Sequence, residues 1–182
     1  EYGELFDMPV DEFRVDTLLH WDLSPWIEKP HAFAPLAAYL LYRLTGALTN
    51  EPTLIIMSDG MRMLANPMMR AQVSGWMDVL SARNAAALIT VSAIEEDAAL
   101  PYARTIAEKS ASVFALPDSE ASDAYSVFEL DERDQGALAY FETANQPHVL
   151  LKRGGEATPL VAELRQLPDA LRQPLLGIAP DA

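Results

Sequence analysis

"TLIIMSDGMRML", residues 53–64, decides how the rest of the chain is read. Leu54 to Met57 are apolar without a break, and such a run predicts a strand over residues 53–57 covered on both faces. Ser58-Asp59-Gly60 ends it, and a helix-like pattern follows. Taken alone, Ser-Asp-Gly is a strand-to-loop turn that uses the conformational freedom of glycine. The sharper reading is a ligand-bearing tip, because parallel sheets present their sites at the carboxyl ends of their strands.

Outward from this strand, helices and strands alternate. Upstream, Leu36, Leu40, Leu44 and Leu48 recur at helical spacing and predict one buried stripe, stopped by Asn50 and Pro52. Downstream, Asn66-Pro67 reads as an N-cap and a first-turn proline. Met69, Val73, Trp76 and Leu80 continue that helix towards Arg83-Asn84. A second buried strand is predicted at 87–91, a helix at 101–110 and a short third strand at 113–116. Such alternation implies βαβ units and a parallel sheet. Asp131 is placed to cap a helix through Phe141, and a late strand pair flanks Gly154-Gly155. Residues 4–6 read as a short strand in an otherwise irregular segment 1–30, and 168–176 as a terminal helix. The whole, 1–182, is expected to be a single α/β domain, with 145–182 forming its strand pair and last helix.

Composition narrows the function. The formal charge of −14 repels phosphate backbones and anionic lipid, which argues against direct nucleic-acid binding and leaves basic proteins as partners. With no cysteine there is neither a disulfide framework nor a thiolate zinc site. No apolar run is long enough to span a membrane, so no membrane insertion is expected. The first residue is Glu1 with no apolar leader, which points to a piece of a longer chain.

Most catalytic patterns are missing. His20, His31 and His148 lack metal-ligand spacing, and no serine occupies a nucleophile elbow. Glu95-Glu96-Asp97 reads as a solvated helix start, and the methionines between 57 and 69 as core filler. None of the eight glycines is followed by lysine, so no phosphate-cradling loop is encoded.

Four stretches in order carry a family likeness: "APLAAYLLYRLTGAL", "PTLIIMSDGMRMLANPMM", "GWMDVLSARNAAALITVSAIEED" and "SVFALPDSEAS". Together they resemble the later portion of the type IV secretion ATPases, the conjugation and effector-export motors of the TraC, TrbE and CagE kind. The likeness covers about residues 5–130, with a looser match in "HVLLKRGG". It implies a RecA-like three-layer α/β sandwich with a mostly parallel central sheet, here without its phosphate-loop portion. It also implies assembly with secretion-complex subunits or self-association, at the cytoplasmic side of the bacterial inner membrane.

Against that family the catalytic positions depart. Where its strand ends in Asp-Glu, this one has Ser58-Asp59; Ser58 has no charge for a magnesium shell and Asp59 is one methylene short. Where its sensor strand ends in Thr-Gln, this one offers Val91 and Ser92. The Arg-Lys pair before that strand becomes Ser81-Ala82, with Arg83 displaced. The resemblance therefore implies a secretion-ATPase domain that keeps the frame and loses hydrolysis, serving assembly and binding no cofactor. The alternatives are an active motor whose ATP- and magnesium-binding loop lies outside these residues, and an unrelated α/β partner-binding module. An antiparallel or all-helical core would favour the last.

Overall fold

The computed structural model describes residues 17–64, 66–91, 94, 98–118, 122–144, 148–161 and 167–168. The readings for residues 4–6, for Glu95-Glu96-Asp97, for Ser92 and for the terminal helix beyond Pro168 lie outside them. The chain divides into two compact units, residues 1–106 and 107–182.

In the first unit a short turn of helix, α1 (Ser24–Ile27), precedes the long helix α2 (Pro30–Ala47). Proline stands in the first turn of each, where its missing N–H has no intrahelical partner to lose. The buried residues of α2 are Ala32, Phe33, Ala34, Ala37, Leu40 and Leu41; of the leucine repeat, Leu40 and the capping Leu48 are buried and Leu36 and Leu44 half-buried. Strand β1 (Thr53–Met57) follows, then α3 (Gly60–Leu64) and α4 (Pro67–Ala82). Met69, Val73, Trp76 and Leu80 of α4 are all buried, as their spacing requires. Helix α4 packs on α2 and on strand β2 (Ala85–Ile89). The first unit reaches into α5 (Ala103–Lys109).

Strands β1 and β2 are parallel, in register from Thr53 opposite Ala85 to Met57 opposite Ile89. Helix α4 stops just before Arg83-Asn84, as expected, and strand β2 starts earlier than the sequence suggests because the chain enters it directly after that turn. Asn84 takes a left-handed conformation, φ +52, straight after the helix, and its carbonyl accepts the Thr53 N–H at 3.2 Å. Asn50 is also left-handed, φ +72, and its carbonyl accepts from the Asn84 side chain at 3.1 Å. Two asparagines thus pin the amino edge of the sheet. Asparagine tolerates this backbone region better than most residues.

Cover on both faces is realised on one face only. Burial alternates along both strands, and Leu54 and Ile56 are 62% and 59% exposed. Leu88 shares that open face, as the partner of Ile56. Parallel sheets usually bury both faces, so this apolar surface is unusual.

In the second unit the third strand departs from the expected parallel sheet. Strand β3 (Val113–Ala115) pairs antiparallel with β4 (His148–Arg153), which pairs antiparallel with β5 (Glu156–Val161). The two-residue turn Gly154-Gly155 makes the hairpin local, and Gly154 has φ +59, a conformation free of steric cost only for glycine. Among the described residues there are thus two separate sheets, a parallel pair in the first unit and an antiparallel three-stranded one in the second. Between β3 and β4 lie α6 (Ser122–Tyr125), a 3-10 turn at Ser126–Phe128 and α7 (Glu132–Glu142). The Tyr125 hydroxyl donates to the Leu116 carbonyl at 2.7 Å.

Helix α7 is anchored at its start. The Asp131 side chain accepts the Asp134 N–H at 2.9 Å, and the Asp134 carboxylate accepts the Asp131 N–H at 3.2 Å. The same Asp134 carboxylate accepts from Lys152 Nζ of β4 at 2.6 Å, with both residues buried. At the other end, the Phe141 and His148 rings stack with centroids 4.8 Å apart.

The bond from the Asp134 amide holds the Asp131 carboxyl below its usual range, against a smaller opposing effect of desolvation. A depressed folded pKa means the cap contributes fully above the ordinary aspartate value of about 4 and loses its contribution as pH falls through the lower folded value. Protection of the Asp134 amide from exchange, taken relative to the intrinsic rate at each pH, is expected to fall in that acid window, and more so than in Asp131→Asn, whose amide oxygen caps without titrating. An identical acid response from the two proteins would remove Asp131 from the effect.

Candidate functional site

The carboxyl ends of β1 and β2 lie side by side, and two hydrogen bonds extend the ladder past its last pair. The Thr90 N–H donates to the Met57 carbonyl at 3.1 Å. The Asp59 N–H donates to the Thr90 hydroxyl, also at 3.1 Å. Asp59 is left-handed, φ +50, so the chain reverses there rather than continuing as a strand. Aspartate is among the few side chains that accept this conformation readily, and glutamate is not. The residue is thus fitted to the turn whatever else it does.

Gly60 follows because nothing larger fits. A Cβ there would lie 2.7 Å from Ile89 Cγ2 and 3.1 Å from Met57 Cβ. This close approach lets α3 start at once and bury Met61 and Leu64. Helix α3 is held from outside by Tyr102, whose hydroxyl donates to the Met61 carbonyl at 2.9 Å. The Arg70 guanidinium lies 4.9 Å from the centre of the Tyr102 ring.

The candidate residues separate in space. Ser58 and Asp59 sit on the β1 tip beside Thr90, with Ser58 exposed and Asp59 half-buried. Val91 follows Thr90 and is half-buried, whereas Ser92 lies outside the described residues. Arg83 is not brought to this group. It precedes β2, and its guanidinium donates to the Leu48 carbonyl at 3.4 Å. A strand rises about 3.3 Å per residue, so the backbone of Arg83 is roughly 20 Å from the tips, beyond the reach of one side chain.

Thr90 and Tyr102 escaped the sequence reading, and Gly60, read there as a turn glycine, is required for space while the left-handed residue is Asp59. With β2 placed at 87–91, Thr90 fell inside the strand instead of at its tip; the cue to the true register was Asn84 as the left-handed residue ending α4. For Tyr102 no local cue exists, since its partner Met61 is 41 residues away.

Among the described residues the tips present the Ser58 hydroxyl, the Asp59 carboxylate and the Thr90 hydroxyl, which accepts from a backbone amide. Among the described residues no group of three His, Asp or Glu side chains could hold a metal ion, and no helix is long and apolar enough to cross a membrane. Replacing Thr90 by valine removes the acceptor of the Asp59 amide and is expected to cost about 1 kcal/mol of stability. Thr90→Ser should stay close to the parent. Urea denaturation of the pair checks this, and equal losses would show that the hydroxyl is not what matters.

No protein-family model matches the chain. It is similar to the conjugal transfer protein TrbE of Rhizobium radiobacter, 27% identical over 122 residues, which is 66% of this chain and 15% of that protein. It is also similar to the second portion of a probable conjugal transfer protein TrbE of Sinorhizobium fredii (strain NBRC 101917 / NGR234), 25% identical over 122 residues, 66% of this chain and 18% of that protein. The match therefore spans under a fifth of either relative. These distant similarities support a relationship to the conjugation branch of type IV secretion.

Proposed function

We propose that the chain is a component of a bacterial conjugation or type IV secretion apparatus, built on a portion of a RecA-like motor frame that no longer hydrolyses nucleotide. The observation that carries this reading is the pair of adjacent parallel tips without a pair of carboxylates. Ser58 stands where the motor family places the magnesium-handling aspartate, and Asp59 serves the turn that leads into α3. Val91 stands where a phosphate sensor is expected and has no polar group to offer. The similarity to TrbE proteins supports the apparatus to which the component belongs.

Its role is to hold neighbours. The acidic balance suits basic subunits, and the open apolar faces suit assembly, with other secretion subunits or with further copies of the chain. The place of action is the cytoplasmic side of the inner membrane, by peripheral association. The antiparallel sheet of residues 107–182 is the kind of core that favours an unrelated partner-binding module. Residues 1–106 have the parallel pair that the motor reading needs, and that pair holds the candidate site.

Titration of magnesium-ATP, with a steady-state phosphate-release assay on residues 1–182 and on the longest natural form, tests the proposal. No turnover above the protein-free rate is expected from either. Sub-millimolar binding with turnover would overturn the non-catalytic reading. It would favour a second one, for which the retained Asp59 carboxylate at the tip speaks: a motor that takes its phosphate-binding loop from outside these residues. In that case Asp59→Asn should lower turnover by several powers of ten. Asparagine also accepts the left-handed turn, so such a loss would report chemistry and not misfolding.

A further inference from the structure

We draw no further inference here: the strongest candidate, the apolar outer face of the β1–β2 sheet presented by Leu54, Ile56 and Leu88, carries nothing because nothing in the structure shows what covers it.

Discussion

Lys152→Met is expected to destabilise the unit of residues 107–182 by about 3–5 kcal/mol, the cost of leaving a buried charge without its partner. Asp134 and Lys152 are 5% and 9% exposed, so water cannot replace a lost partner. The carboxylate would keep the Asp131 N–H at 3.2 Å but lose the ammonium at 2.6 Å. The magnitude belongs to the broken pair and not to the pair itself. Two well-paired buried charges contribute little net stability, because desolvation offsets most of their attraction. A double variant, Lys152→Met with Asp134→Asn, separates the two ideas. Asparagine retains an oxygen for the Asp131 N–H and carries no charge, so the double variant should recover most of the loss. Denaturant melts of the single and double variants provide the measurement. A single-variant loss below about 1 kcal/mol would mean that Asp134 finds water or another donor when Lys152 is gone.

The second large effect is expected at Gly60. Gly60→Ala adds one methyl group at a point where Ile89 Cγ2 lies 2.7 Å away. That atom is a branch next to the backbone of β2, not the mobile end of a long side chain, so it cannot swing aside. Overpacking of this kind costs about 1–3 kcal/mol. It also pushes apart the tips that Thr90 holds together. Ile89→Leu removes the offending branch at nearly constant volume, and the alanine should then be tolerated better. A coupling energy above about 0.5 kcal/mol in the double-mutant cycle is the expected result. If the two substitutions simply add, the clash is relieved elsewhere and the close approach does not govern this turn.

These two sites differ in how visible they are before folding. Gly60 stands directly after a strand and a turn-forming aspartate, so a special role for it can be read locally. Its reason, the branch of Ile89, is 29 residues away and cannot. Lys152 and Asp134 are 18 residues apart, and nothing near either one announces the other. In the sequence, Lys152 looks like one of three scattered lysines and Asp134 like an ordinary first-turn acid.

Elements fared better than partnerships. Five apolar or β-branched residues made β1 legible, helical spacing made α4 legible, and Asp131 marked the start of α7. Of the predicted stripe of α2, Leu40 and Leu48 are buried, while Leu36 and Leu44 are half-buried and Phe33, Ala34 and Ala37 are buried instead. The displaced start of β2 followed from a helix end whose asparagine was read as a stop without its left-handed geometry.

By itself the sequence determined where the chain is regular, where it turns and which ends lack charge: periodicity, capping residues and the absence of a glycine-lysine loop are all short-range properties. Tertiary structure alone decided which strands pair and in what direction, which apolar faces stay open, and that Thr90 rather than Val91 ties the two tips together. The physical reason is that a strand's hydrogen-bonding edges are alike on both sides, so its partner is selected by packing among residues distant in the chain.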